Sequence, residues 1–218
     1  EPVKNRSDSY QNEAALEREF IQLLTQQGYA YLQIHREADL IANLRRQLEA
    51  LNDYQFTDSE WEQFFNNAIA NPNEHIVEKT RKIQEDFVQV LHRDDGTSKN
   101  ISLLDKKNIH NNRLQVINQY EVSREQGAHH DNRYDVTVLV NGLPLVHIEL
   151  KRRGVAIREA FSQINRYQRD SFWAGCGLFE YVQIFVISNG TNTKYYSNST
   201  RIGAIREASG GKIKKQKT

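Results

Sequence analysis

Apolar residues recur at two different periods along this chain, and the change of period divides it. Leu16, Phe20, Leu23 and Leu24 stand at helical spacing and Gly28 follows, which predicts a helix over about 13–27. A short strand over Tyr29–His35 comes next. Leu40, Ile41, Leu44, Leu48 and Leu51 mark one face of a second helix over 37–51. Trp61, Phe64, Phe65 and Ile69 mark a third over about 59–70, with Asp58 or Ser59 as its cap and Asn71-Pro72-Asn73 as its end. Beyond this point strand signals take over. Phe87–Leu91 and Asn100–Leu104 flank Asp94-Asp95-Gly96 and read as a hairpin, Arg113–Val122 reads as a strand, and 123–132 as a polar loop. Tyr134–Val140, Asn141-Gly142 and Pro144–Leu150 form the clearest hairpin signal. Helical spacing returns over 155–170 through Ala156, Ala160, Ile164 and Tyr167. The nearly unbroken apolar run Tyr181–Ser188 predicts a central strand buried on both faces, and Thr193–Ser197 a closing strand.

This order predicts an α/β fold, a mixed sheet flanked by helices, with an N-terminal helical insertion over about 36–75. Residues 13–201 are expected to form a single domain between a polar leader (1–12) and a flexible basic tail (202–218) that carries Lys212, Lys214, Lys215 and Lys217.

Composition narrows the class. A chain of 218 residues can bury a sizeable core without a staple. The single Cys176 excludes an internal disulfide framework and suits a reducing, cytoplasmic compartment. No apolar run approaches the ~18 residues of a membrane span, and no charged-then-apolar leader opens the chain, so no membrane partner is expected. With a net charge of +1, a nucleic-acid binder would have to gather its positive charge on one face. Lys151, Arg152, Arg153, Arg158, Arg166 and Arg169 could form such a strip, or an ordinary solvated helix face. There is no Gly-x-x-x-x-Gly-Lys-Ser/Thr, so ATP binding through a P-loop is not expected. His129-His130 lacks a third ligand at metal spacing, and Cys176 has no basic neighbour to activate it.

The chemistry concentrates around the second hairpin. Glu149 and Lys151 stand two apart on one strand, so their side chains leave the same face, and Asp135 lies on the partner strand. With a strict two-residue Asn141-Gly142 turn, Asp135 and Glu149 point to opposite faces. A three-residue connection or a bulge brings them together, so a catalytic role requires one or the other. Two carboxylates ~5 Å apart repel by about 3 kcal/mol at an effective dielectric near 20. A protein that keeps such a pair usually places a cation between them, and all-oxygen ligands with room for water suit Mg²⁺ or Mn²⁺. Lys151 beside the carboxylates could orient a water and neutralise charge developing on phosphorus. An acidic-x-Lys triplet is weak by itself: Asp105-Lys106-Lys107 is another, with Asp94 and Asp95 upstream, and a solvated strand edge explains most such triplets. The triplet at 149–151 differs in ending an apolar strand whose hairpin partner carries a lone acid. His147 is a neighbour of Glu149 on the same strand.

The run NRYDVTVLVNGLPLVHIELKRRGVAIREAFSQINRYQRD resembles the nuclease domain of the restriction (R) subunit of type I restriction–modification enzymes, in the RecB-like branch of the PD-(D/E)xK superfamily. The resemblance rests on Asp135, Glu149-x-Lys151 and a helix bearing Gln163 and Tyr167. LEREFIQLLTQQGY, EKTRKI and FVISNGTNTKYYSN extend it over most of residues 13–201. Tyr134 stands where the superfamily often has Pro. The resemblance implies a PD-(D/E)xK core and Mg²⁺-dependent cleavage of DNA phosphodiesters. Asp135 and Glu149 are then the metal ligands, Lys151 the catalytic lysine, and Gln163 and Tyr167 supports of the site or contacts to the DNA backbone, with Arg152 and Arg153 beside them. Glu17, on the first helix, is a weaker acidic candidate, for which a solvated surface position is the plainer expectation. The resemblance also implies a larger enzyme in which a C-terminal helicase-like motor uses ATP and separate modification and specificity subunits choose the DNA. A RecB-like nuclease of a repair helicase, or a catalytically silent DNA-docking module regulating the motor, would share many of these features.

Overall fold

The computed structural model describes residues 12–198. The expected leader falls almost wholly outside them and the expected tail entirely so. Helix α1 (Glu13–Gln26) is capped by Asn12, whose side chain accepts from the Ala15 N–H. Its apolar face packs on a sheet of six strands, β1 (Ala30–Tyr31), β4 (Leu114–Val122), β5 (Asn132–Val140), β6 (Leu143–Leu150), β7 (Ile184–Ser188) and β8 (Thr193–Ser197), adjacent in that order. The β1–β4 and β6–β7 pairs are parallel and the others antiparallel. Helix α5 (Ile157–Asp170) makes the crossover between parallel β6 and β7. The molecule is thus a mixed α/β structure. A smaller core joins Leu16, Phe20, Ile21 and Leu24 of α1 to Val116, Val136, Val138, Ile148 and Leu150. On the other face the larger core gathers α5, the helical insertion and the aromatic residues Tyr120, Tyr134, Phe172, Phe179 and Phe185.

The insertion departs from the sequence reading in two places. Helix α2 (Glu37–Asn52) forms as expected, but α3 (Asp58–Phe64) is capped by Thr57 in a reciprocal box with Glu60, not by Asp58 or Ser59. It then widens into a π-helical turn, Phe65–Ile69. The carbonyls of Ala68 and Ile69 accept from the buried Lys82 ammonium and the Tyr181 hydroxyl. That Lys82 belongs to α4 (Ile76–Gln84), a helix that hydrophobic periodicity did not reveal. The reason is physical: α4 buries two cations, Lys79 and Lys82, where an apolar stripe would have advertised it. Strands β2 (Val88–His92) and β3 (Ser98–Ser102) form the expected hairpin as a separate two-stranded sheet.

Two strands are shorter than their apolar runs. The expected strand at 29–35 pairs regularly only at Ala30 and Tyr31. Tyr181 ends a 3-10 turn, and β7 begins at Ile184, which is 41% exposed; the run is neither central nor buried on both faces, being separated from the edge only by β8.

The β5–β6 hairpin decides the site. Asn141 and Gly142 both take positive φ (50° and 83°), and the turn pairs Val140 with Leu143 and Leu139 with Pro144. The register then slips, pairing Val138 with Val146 and Val136 with Ile148, so Leu145 is an extra residue on β6. A Cβ on Gly142 would meet the Leu44 backbone at 2.6 Å. Gly142→Ala therefore combines a disfavoured φ with a backbone clash. We expect it to lower stability by about 2–4 kcal/mol, read as a drop in urea midpoint at unchanged slope; a midpoint unmoved from wild type would show that the turn relaxes freely.

Candidate active site

The bulge at Leu145 does what a catalytic hairpin required. Past the Val136–Ile148 pair, the next opposed residues are Asp135 and Glu149, now on the same face of the sheet. Asp135 turns its carboxylate onto the neighbouring strand, where Oδ2 accepts from the Leu150 N–H at 2.9 Å. Glu149 is wholly buried; its Oε1 accepts from Lys151 Nζ at 3.2 Å, while Oε2 lacks a hydrogen-bond partner and lies 3.5 Å from His147 Nε2. Burial, reinforced by the Glu149 charge, pushes the Asp135 carboxyl up to about 7. Burial likewise pushes Glu149 up to about 7, against the opposing pull of Lys151. Both carboxyls resist ionisation for the same first reason, removal of the charged form from water. His147 shares this dry pocket. Its ring packs edge-on against Tyr134, Tyr167 and Phe172, and burial pulls its pKa down to about 4, so it is neutral.

Helix α5 buttresses the pair. Tyr167 is 1% exposed; its hydroxyl donates to the Arg133 carbonyl at 2.9 Å and accepts from the Gln163 side chain. It thereby ties α5 to β5 two residues from Asp135, and its burial removes it from contact with any external ligand. Gln163 instead lines an open groove of about 660 Å³ together with Lys151, Arg158, Arg166 and Arg169. Arg152 and Arg153 are exposed in the loop after β6, outside this groove. Tyr134, in place of a proline, is fully buried, and its hydroxyl shares a 2.7 Å hydrogen bond with Ser171.

The remaining acids separate cleanly. Glu17 is not solvated: it is 8% exposed and accepts from the side chains of Asn118 and Gln119. Another acid of α1, Glu13, went unnoticed in the sequence; its carboxylate accepts from the Arg152 N–H at 3.3 Å and its charge adds to the upward push on Glu149. Its place in the first turn of α1 was the only signal. Asp105 is tied up in its own loop, accepting from the Lys107 and Asn108 N–H groups and the Asn111 side chain. Asp94 accepts from the Thr57 hydroxyl, and Asp95 from Thr97 and Arg93. His129 packs on Trp173, while His130 approaches Arg124. Burial and Glu37 raise the Cys176 thiol well above its ordinary range, which leaves it unreactive.

Among the described residues no group of three or more His, Cys, Asp and Glu side chains could hold a metal ion. Asp135 and Glu149 nevertheless fit Mg²⁺ or Mn²⁺. They are hard oxygen donors, one buried oxygen is unpartnered, and a small hard cation keeps several waters and needs only one or two protein carboxylates. Among the described residues no helix is long and apolar enough to cross a membrane.

Comparison with known proteins places the chain in a family. The family described as Type I restriction enzyme R protein N terminus matches residues 10–203. The chain is 53% identical over 196 residues to the type I restriction enzyme EcoprrI endonuclease subunit of Escherichia coli, covering 89% of this chain and 61% of that protein. It is 39% identical over 196 residues to the SauMSSORF170P endonuclease subunit of Staphylococcus aureus, covering 88% of this chain and 20% of the relative. A putative type I endonuclease subunit of Methanocaldococcus jannaschii, MjaIXP, is 32% identical over 99 residues, 44% of this chain and 9% of that one. The chain thus spans between a fifth and three fifths of the bacterial relatives, and it belongs to the family of N-terminal regions of type I restriction enzyme R proteins.

Proposed function

We propose that this chain is the Mg²⁺-dependent endonuclease region of a type I restriction enzyme, a PD-(D/E)xK nuclease of the RecB-like branch that hydrolyses DNA phosphodiester bonds. The observation that carries the reading is the bulge-corrected register, which sets Asp135 opposite Glu149 with Lys151 on the latter's carboxylate. Relatives named as endonuclease subunits support it.

Asp135 and Glu149 would hold Mg²⁺, with Mn²⁺ as a substitute; bound there, the ion lowers the pKa of a water and polarises a phosphoryl oxygen. The dry walls of Tyr134, Phe172 and neutral His147 keep the carboxylates from being screened by bulk water. Lys151 sits where its ammonium can orient the attacking water and offset negative charge growing on the phosphoryl oxygens as the P–O ester bond breaks. Gln163, Arg158, Arg166 and Arg169 line the groove leading away from Lys151, and guanidinium groups suit bidentate phosphate contacts. Such contacts position DNA without reading its bases, so sequence choice falls to modification and specificity subunits. ATP serves a C-terminal helicase-like motor in the longer protein.

Titration of the chain with Mn²⁺ by calorimetry tests this reading. One site is expected, weakened by about 100-fold or more in both Asp135→Ala and Glu149→Ala. Binding that survives both substitutions would overturn the assignment.

A further inference from the structure

Gln119 is the one residue within the six-stranded sheet with a positive φ (53°), and it lies directly across from Asp135. The β4–β5 ladder pairs Asn118 with Val136 and Tyr120 with Tyr134 but skips the position between them. Regular alternation would send Asn118 toward α1 and Gln119 toward the opposite face, the one that carries Asp135, His147 and Glu149. Instead Asn118 and Gln119, consecutive residues, both donate to the Glu17 carboxylate on α1. Two neighbours on a strand can reach one group only if the alternation breaks, and the left-handed turn at Gln119 breaks it. The break shows downstream as well: Ile117 and Tyr120, three apart, belong to the same core. Other groups complete the clamp. The Tyr31 hydroxyl donates to Asn118 Oδ1 at 2.9 Å, and His35 Nδ1 lies 3.2 Å from the Gln119 carbonyl.

A non-glycine residue persists in this conformation only where its surroundings over-determine it, and here the over-determination is a buried carboxylate. We infer that Glu17 is a positioning residue: it holds Gln119 in the left-handed conformation, which withdraws the Gln119 amide from the face bearing Asp135 and Glu149. Without the clamp Gln119 relaxes to an extended conformation. Its amide then stands cross-strand from Asp135, within reach of the carboxylate that would otherwise face Glu149 and accept from Leu150. This inference rests on the nuclease reading for the identity of the cation, but the clamp has its own readout without metal.

Glycine adopts a positive φ freely and carries no side-chain amide, so it separates the two roles Glu17 could have. In the metal-free chain, exchange of the Leu150 amide, followed by NMR, should accelerate in Glu17→Ala and return to the wild-type rate in Glu17→Ala/Gln119→Gly. Mn²⁺ affinity should fall by about tenfold in Glu17→Ala and recover to within about twofold in the double variant. Should Glu17→Ala not fold, Glu17→Gln keeps the volume and one acceptor oxygen and gives the same comparison. Wild-type exchange and affinity in the single variant would overturn the inference, as would a loss that Gln119→Gly leaves unrescued, since Glu17 would then act on the fold or the ion without Gln119. If the wild type shows no Mn²⁺ site dependent on Asp135, the nuclease reading fails, and the Leu150 exchange rates still decide the clamp.

Discussion

Under the proposed nuclease function, Asp135→Asn in a full-length R protein, assembled with the modification and specificity subunits proposed for it, is expected to lower DNA cleavage by about 10³-fold or more. The substitution keeps the shape of the side chain and an oxygen to accept the Leu150 N–H, and it removes only the charge. On the same reading Lys151→Ala should lower cleavage by about 10²- to 10³-fold, through loss of the ammonium proposed to face the reacting phosphate. Asp105→Asn, in the other acidic-x-Lys triplet, should leave the rate unchanged, because the Asp105 carboxylate is occupied by backbone and amide donors of its own loop. The measurement is the rate of plasmid linearisation, with ATP-driven translocation by the proposed motor recorded alongside as a control for correct assembly. A rate for Asp135→Asn within about tenfold of wild type would remove Asp135 from the reaction.

The same carboxylates should make metal-free stability depend on pH in an unusual direction. Asp135 and Glu149 are pushed up to about 7, from unfolded values of roughly 4. Between these limits the folded chain binds more protons than the unfolded one, so their contribution is fully present below pH about 4 and is lost as pH rises through about 7. His147 works the other way: lowered to about 4, it costs stability as pH falls below roughly 6.5. Comparing wild type with Asp135→Asn removes the part of the histidine term set by its burial, the first cause of its shift, and leaves its smaller interaction with Asp135. The asparagine variant should be the more stable at pH 8, by on the order of 2–4 kcal/mol, and the gap should close toward pH 4. Millimolar Mg²⁺ should raise the melting temperature of the wild type at pH 8 and leave that of Asp135→Asn unchanged. Equal stability of the two proteins at pH 8 without metal would mean that the pair is not strained by its own charge.

Local chemistry was readable where it is local. Helical spacing from Leu16 to Leu24 and from Leu40 to Leu51 placed α1 and α2 within a residue or two, because each buries a single apolar stripe. Asn141-Gly142 announced the hairpin, because few other residue pairs take two positive φ values in succession. The spacing of Glu149 and Lys151 assigns them to one face, and the requirement that Asp135 join them implies an irregular register. Tertiary structure alone decided the rest. Helix α4 was hidden because two of its buried positions, between Ile76 and Ile83, are lysines, satisfied by Glu180, Glu74 and carbonyls distant in sequence. The reach of β7 was overestimated because an apolar run does not say which of its residues a neighbour will cover. Periodicity could demand a bulge but not place it; the fold puts it at Leu145, whose side chain joins the larger core. Nor could it show that Tyr167, which it did place on the apolar face of α5, would bond to the Arg133 carbonyl, or that Glu17 would reach across to two consecutive residues of β4, since each depends on contacts that close loops of 34 residues or more. One sequence can state which groups must meet, while the distance and burial that tune their charge arise only when the sheet brings remote segments together.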